Sequence, residues 1–485
     1  MSEKSPAGKA VSFEIIEESL YEIRRKIYPR SVSGVFARWR VILVLFTQLL
    51  FYGLPWLSWN GRQAVLFDLI QRKFYIFGLV LWPQDVIYLT LLLILSALAL
   101  FLFTAVAGRL FCGYACPQTV YTEIFMWIER RVEGDRFARI RLDGEEWPWS
   151  VRKWRIKITK HFLWLAVSFW TGFTFIGYFT PIDTLSSAVA HLDLGPWQTF
   201  WLGFYSFATW GNAGFMREQV CKYMCPYARF QSVMVDKDTF LVTYDGVRGE
   251  PKGARSKSVD HIAKGLGDCV DCSICIQVCP TGIDIRDGLQ YMCIGCGACI
   301  DSCDVVMDKI GYPRGLIRYT TERAIQDKES NQSAIKHILR PRVLIYTAFI
   351  SLLTTAFIVS LATRNPLRVD IMRDRGALAR EVDGARIENI YRIQVMNASE
   401  NPMKVHVKAT GLDGMKILTS QGQELGEIAL DRASNQLLPI KVSTVIGQNE
   451  PGNYPIHFEV EAKELTHSEE ILRVRDEKST YIIPR

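Results

Sequence analysis

Cys269-Val-Asp-Cys272-Ser-Ile-Cys275-Ile-Gln-Val-Cys279-Pro280 and Cys293-Ile-Gly-Cys296-Gly-Ala-Cys299-Ile-Asp-Ser-Cys303 decide the fold of the middle of this chain. Both runs read C-x2-C-x2-C-x3-C. Thiols at intervals of three let one tight loop present three thiolates to a single iron–sulfur cubane, and the fourth thiol reaches the other cubane. The expected ligand sets therefore cross: Cys269, Cys272, Cys275 and Cys303 on one [4Fe–4S] cluster, and Cys293, Cys296, Cys299 and Cys279 on the second. Gly295 and Gly297 allow the close backbone approach that aims N–H groups at cluster sulfurs. Pro280 turns the chain away after Cys279, whereas Asp304 stands where a proline is usual. Structural zinc favours paired C-x2-C halves with a longer spacer, and disulfides are disfavoured on a cytoplasmic face. Asp268, Asp271, Asp284, Asp287, Asp301 and Asp304 against Arg286 alone make the insert acidic. That charge lowers the expected reduction potential and suits a basic cytoplasmic electron donor.

Outward from the insert the solvent changes. The chain has 485 residues, 49% hydrophobic and 22% charged, with a mean hydropathy of +0.08. Its apolar residues are clumped. Five uncharged runs are read as transmembrane helices: Val41–Trp59, Val86–Gly108, Phe162–Ile182, Pro196–Met216 and Val343–Thr363. Each is about as long as the roughly 20 residues that cross a bilayer. An ordinary soluble enzyme, a disordered chain and a collagen-like chain are excluded. The net charge of +7 is modest for a nucleic-acid binder. The first 35 residues are polar, so no secretory signal is expected.

The basic residues sort by loop, which sets orientation. Arg24, Arg25, Lys26, Arg30, Arg38 and Arg40 precede the first run, and eleven Lys and Arg lie between Arg109 and Lys160. Arg217, Lys222 and Arg229, and then Lys336, Arg340 and Arg342, flank the insert. The loop Asp183–Leu194 has none. The N-terminus and the cysteine-rich insert are thus expected in the cytoplasm, and everything after Thr363 on the other side. Thr119–Arg141 is expected to lie as a helix in the headgroup plane, and Gly61–Pro83 to form a surface hairpin.

The remaining cysteines form a repeat. Arg109-Leu-Phe-Cys112-Gly-Tyr114-Ala-Cys116-Pro117 follows the second run, and Arg217-Glu-Gln-Val-Cys221-Lys-Tyr223-Met-Cys225-Pro226 follows the fourth. If each C-x3-C lies within one helix, its two thiols share a face, and bundle packing would gather four thiolates at the inner surface. Three readings stand: a third iron–sulfur centre, a Cu(I) site of soft ligands, or buried small residues at helix ends. Tyr114 and Tyr223 are expected to anchor the interface, and His161 and His191 to be interfacial or surface residues. No nucleophile elbow, phosphate loop or H-E-x-x-H is present, and no catalytic residue is assigned. Beyond Asn365, the alternating runs Ile387–Val395, Val405–Ala409, Leu437–Val442, Ile456–Glu461 and Ile471–Val474, separated by turn residues, predict an immunoglobulin-like β-sandwich.

This order of parts resembles the FixG/CcoG/RdxA family of cytochrome c oxidase accessory proteins. Further resemblance lies in Asn60-Gly61-Arg62-Gln63-Ala64-Val65, Lys73-Phe74-Tyr75-Ile76-Phe77-Gly78 and Trp82-Pro83-Gln84-Asp85. The expected architecture is a five-helix transmembrane bundle with an inserted bacterial-type 2[4Fe–4S] ferredoxin domain and a C-terminal immunoglobulin-like β-sandwich. Its parts are a cytoplasmic arm (1–40), spans one to four with both C-x3-C-P motifs (41–234), a cytoplasmic segment (235–342, ferredoxin core 265–308), span five (343–363) and a periplasmic β domain (364–485). The resemblance implies a bacterial inner-membrane protein that reduces Cu(II) to Cu(I) during assembly of a cbb3-type oxidase. Its partners would be the oxidase or its copper-delivery factors. Cys112, Cys116, Cys221 and Cys225 would be ligands of copper or of a third centre. Two other functions compete: a quinol or ferredoxin oxidoreductase subunit feeding a respiratory enzyme, and a non-redox copper chaperone or scaffold.

Overall fold

The computed structural model describes residues 26–256, 262–326, 339–374, 379–382, 386–446, 449–465 and 470–484. Arg24, Arg25 and Lys336, used above for orientation, lie outside the described residues. The chain divides into two compact units. One comprises Met1–Val44, Phe103–Leu165 and Trp210–Ile338; the other comprises Leu45–Leu102, Ala166–Thr209 and Leu339–Arg485.

Three helices among the described residues are long and apolar enough to cross a membrane: Val35–Trp56, Pro83–Ala107 and Pro341–Ala362. Their outward side chains suit lipid, with Leu49 73%, Leu93 62% and Leu352 66% exposed. The other two expected spans depart from the simple picture. The third lies in a helix that starts at Val151 with the basic run Arg152, Lys153, Arg155, Lys157 and Lys160, and it ends at Gly177 rather than Ile182. Pro181 caps a separate helix, Ile182–Ala190. The fourth is α-helical only over Pro196–Thr209 and continues as a π-helix, Trp210–Met216. A Cβ on Gly214 would sit 2.9 Å from the Trp164 ring, so glycine is what lets the wider turn press against that indole.

In the first unit, the expected headgroup-plane helix is two helices, Pro117–Val132 and Arg136–Asp143. Gly134, at φ 91°, separates them in a conformation that a side chain disfavours. The ferredoxin insert is clasped by strand Leu241–Tyr244, antiparallel to Ile317–Thr320. Val242, Leu316 and Ile317 pack there against Ile300 and Met307 of helix Ala298–Ile310.

In the second unit, Gly61–Pro83 holds a three-stranded antiparallel meander, Val65–Asp68, Lys73–Ile76 and Leu79–Leu81, rather than a hairpin. The C-terminal region is two antiparallel sheets. One orders Lys416–Thr419, Asn435–Val445, Arg386–Asn397 and Leu367–Arg373, with Arg380–Val382 also on Arg386–Asn397. The other orders Ile428–Leu430, Met403–Thr410, Gly452–Leu465 and Glu470–Ile483. All five alternating runs fall in these strands. Their inward residues, among them Tyr391, Ile393, Val405, Val442 and Phe458, form one buried core between the sheets. Asp85 is fully buried and ion-paired to Arg364 at 3.2 Å and Arg368 at 2.7 Å, tying the segment before one membrane helix to the start of this β domain.

Candidate redox site

The two ferredoxin loops have the same backbone at the same positions. Asp271 and Ser273 flank Cys272 at φ 50° and 53°, and Gly295 and Gly297 flank Cys296 at φ 65° and 70°. Left-handed residues on both sides of the second cysteine curl each loop around its thiols. Only the second loop needs glycine there. A Cβ on Gly297 would lie 2.7 Å from the Phe36 ring, and one on Gly295 would lie 3.4 Å from the Arg109 carbonyl. The residues after each loop enter short helices that carry Cys275 and Cys299.

Cys269, Cys272, Cys275 and Cys303 line one cavity, beside Tyr244 and Met307. Cys272 is exposed. Burial, and then the neighbouring Cys275 and Cys272, push the Cys303 thiol up to about 12. In the second group, burial raises Cys293 to about 12, with Cys296 and Cys279 adding to the effect. Cys299 is raised by burial and by Cys296, Cys293 and Cys279, with a smaller effect from Cys275 of the other group. Each group thus mixes three thiols of one run with the fourth of the other. Thiols so crowded and buried stay protonated unless a cationic centre supplies compensating charge. Among the described residues no three His, Cys, Asp or Glu are arranged to chelate a single metal ion.

The C-x3-C-P motifs depart from the expected single helix. Cys112 lies in the short helix Leu110–Tyr114, but Cys116 is extended (φ −62°, ψ 128°) and caps the helix that begins at Pro117. Cys225 likewise caps the helix from Pro226, after a π-turn carrying Cys221. The reason is the proline, which excludes helical backbone at the residue before it and suits the first helical position. The four thiols nevertheless lie within electrostatic reach of one another, although no three of them are placed to chelate a single metal ion. Burial and then Cys116 raise Cys112 to about 12, with Cys221 and Cys225 contributing and Arg109 opposing. Gln118 ties the two repeats, donating to the Asn212 carbonyl at 3.0 Å and the Arg217 carbonyl at 3.2 Å. Glu129, almost fully buried, bridges Arg139 at 3.1 Å and Arg217 at 2.6 Å.

The first motif touches the second ferredoxin loop. Tyr114 donates to the Cys296 carbonyl at 3.2 Å, and Tyr319 donates to the Gly295 carbonyl. A Cβ on Gly113 would stand 2.8 Å from the Ile294 carbonyl oxygen and 3.0 Å from the Cys296 Cα. Cys112 packs with Ile294 and Cys296. Tyr114 is therefore not an interfacial anchor: it is buried, whereas Tyr223 is 41% exposed. The signal for this difference was the residue before each tyrosine, Gly113 against Lys222.

The acidic residues of the insert also differ from a free docking face. Asp301 accepts from the backbone N–H groups of Phe36 at 3.2 Å and Ala37 at 2.8 Å, capping the first long helix. Asp268 pairs with Arg248, and both Asp271 and Asp284 pair with Arg286. Asp304 accepts from the Gly315 N–H.

Three family models match the chain. A 4Fe-4S binding domain covers residues 89–157, a 4Fe-4S dicluster domain covers 216–322, and the IG-like fold at the C-terminal of FixG covers 357–484. The chain is 36% identical over 473 residues to the nitrogen fixation protein FixG of Rhizobium meliloti (strain 1021), covering 90% of this chain and 89% of that protein. It is 39% identical to the protein RdxB of Cereibacter sphaeroides, covering 89% of this chain and 91% of that one. Against the protein RdxA of the same organism it is 38% identical, covering 83% and 86%. With the dicluster match lying over both cysteine runs, the protein carries two [4Fe–4S] clusters.

Proposed function

The chain belongs to the FixG/RdxA family of membrane iron–sulfur electron-transfer proteins, and from that premise we propose that it reduces Cu(II) to Cu(I) for assembly of a cbb3-type cytochrome c oxidase. Bound [4Fe–4S] clusters supply single electrons. Cys269, Cys272, Cys275 and Cys303 hold one, and Cys293, Cys296, Cys299 and Cys279 hold the other. The observation that carries the reading is the contact of Gly113 and Tyr114 with the Cys296 loop, which sets Cys112 beside the inner ferredoxin loop. Exposed Cys272 lies in the other group, so the insert offers a wet side for reduction and a membrane side for delivery.

Cys112, Cys116, Cys221 and Cys225 form the receiving site. Four thiols suit Cu(I), the soft state that the reaction produces, and they also suit a third iron–sulfur centre that relays electrons to copper. The 4Fe-4S match over residues 89–157, whose only cysteines are Cys112 and Cys116, supports the second choice. The chain crosses the bacterial inner membrane five times, with Phe162–Gly177 and Pro196–Met216 as spans three and four. The arm and ferredoxin insert are cytoplasmic and the β domain periplasmic; the lysine and arginine bias of the loops supports this orientation.

The test is anaerobic. Full-length protein is reduced with dithionite, Cu(II) is added, and cluster bleaching is followed together with the colour of a Cu(I) chelator. Copper-dependent reoxidation is expected, and its absence refutes the proposal. Iron and copper are then quantified in a Cys116→Ser, Cys225→Ser double variant. Loss of about four further iron atoms per protein assigns a third cluster; unchanged iron with less bound copper assigns copper.

A further inference from the structure

The two C-x3-C-P repeats each open on an arginine, Arg109 and Arg217, and both are buried, at 8% and 9% exposure. Their surroundings differ. The Arg217 guanidinium meets the Glu129 carboxylate at 2.6 Å and donates to the Gly214 carbonyl at 3.0 Å. Arg109 has no carboxylate within ion-pair distance among the described residues; its guanidinium donates to the backbone carbonyl of Ala228, just past Cys225. A buried cation without a partner is strongly destabilising, and a guanidinium does not escape by losing its proton. The compensating negative charge therefore belongs to something else beside it.

Arg109 stands where the thiol groups of this unit meet. It precedes Cys112 by three residues, reaches the second repeat at Ala228, and its carbonyl lies 3.4 Å from where a Cβ on Gly295 would be. Burial raises the thiols of Cys112, Cys221 and Cys293, and Arg109 opposes that rise at all three. The other cations near the ferredoxin loops are already engaged. Arg40, which acts on Cys296, is paired with Glu123 at 2.6 Å. Arg286, which acts on Cys275, is held by both Asp271 and Asp284, leaving a carboxylate in excess beside the outer group. Arg255 donates to the Cys269 carbonyl at 3.3 Å, but it is only half-buried, and water screens it.

We propose that Arg109 is the counter-charge of the inner cluster, the one held by Cys293, Cys296, Cys299 and Cys279, and that it sets the reduction potential of this cluster above that of the outer one. Thiolate ligands make a loaded cluster anionic and each added electron makes it more so, so a fixed cation nearby favours the reduced form. Electrons that enter near exposed Cys272 are then drawn toward Cys112 and the membrane motif. In each transfer one cluster loses the single electron that the other gains, and Arg109 keeps its proton throughout. The inference rests on the electron-transfer reading above and gives it a direction.

The test is an anaerobic, copper-free redox titration of the full-length protein in detergent, with the iron–sulfur signals read by low-temperature electron paramagnetic resonance. Wild type is expected to show two ferredoxin midpoints. Arg109→Gln should lower the higher one, weakening its reduction about tenfold, which is about 59 mV for one electron, and leave the lower one in place. Arg109→Lys retains the charge and should keep the higher midpoint near its wild-type value. A single shared midpoint in wild type, unchanged midpoints in Arg109→Gln, movement of the lower one alone, or Arg109→Lys shifted as far as Arg109→Gln overturns the proposal. If Arg109→Gln loses iron, Arg109→Lys decides: retained iron and midpoint support the counter-charge, and iron lost in both refutes it. Because no copper is present, failure here leaves copper-dependent reoxidation standing. Loss of copper reduction with the midpoint shift intact removes the copper reading alone.

Discussion

Gly113→Ala tests whether the membrane motif and the inner ferredoxin loop are packed as a unit. The added methyl carbon would stand 2.8 Å from the Ile294 carbonyl oxygen and 3.0 Å from both the Cys296 Cα and the Gly295 carbonyl oxygen. All three obstacles are backbone, so no side chain can rotate away, and the loop must retreat by several tenths of an ångström. Overpacking of this kind costs about 1–3 kcal/mol, with the upper end expected where backbone is the obstacle. Alanine in the helix Leu110–Tyr114 recovers about 0.5–1 kcal/mol relative to glycine. The net loss is about 2 kcal/mol, roughly a thirtyfold change in the folding equilibrium. The assay is urea-induced loss of iron–sulfur absorbance in detergent, beside the rate of copper-dependent reoxidation. Gly203→Ala is the control, because nothing lies within 4 Å of its added carbon; it should be neutral or stabilising. The expected result for Gly113→Ala is a lower urea midpoint and slower electron delivery with iron content retained. Stability and delivery equal to wild type would refute the contact.

Asp301→Ala removes the acceptor for the N–H groups of Phe36 and Ala37 and should cost about 0.5–2 kcal/mol in the same urea assay, with Asp301→Asn losing less; an unshifted Asp301→Ala midpoint rejects the cap. Asp143 sets an acid limit. Burial raises its carboxyl, but hydrogen bonds from Lys157, Lys26 and Tyr28 outweigh this and hold it well below the usual range. Its folded pKa lies under the unfolded value of about 3.9, so its contribution is complete above that pH and is lost as the pH falls through the folded value. Wild type should lose stability more steeply than Asp143→Asn below about pH 4; parallel acid curves for the two proteins reject the linkage.

Particular residues show where the reading of the chain succeeded and where it stopped. The two [4Fe–4S] clusters were legible because a cubane imposes its ligand spacing on one short loop, and spacing is visible in one dimension. The strands of the β domain were legible because a half-buried strand alternates, and Ile387, Val405, Val442 and Ile456 all proved to be core residues. The C-x3-C-P motifs are legible as a repeat, but their backbone is not the continuous helix that four-residue spacing suggests, because Pro117 and Pro226 exclude helical backbone at the preceding cysteine. The fourth span was blurred by Gly211 and Gly214, which permit a π-helix that no amphipathic pattern announces.

The sequence by itself determined that this is a membrane iron–sulfur protein with a C-terminal β domain, because ligand spacing, bilayer-length apolar runs and strand alternation are properties of local segments. Only the tertiary structure decided that Tyr114 meets Cys296, 182 positions away, that Asp301 caps the helix at Phe36, and that His161 packs against the Trp164 and Phe215 rings. Those contacts join residues whose own surroundings in the chain are unremarkable. They come from which faces pack together when the apolar surface is buried, and packing partners leave no periodic mark on the chain.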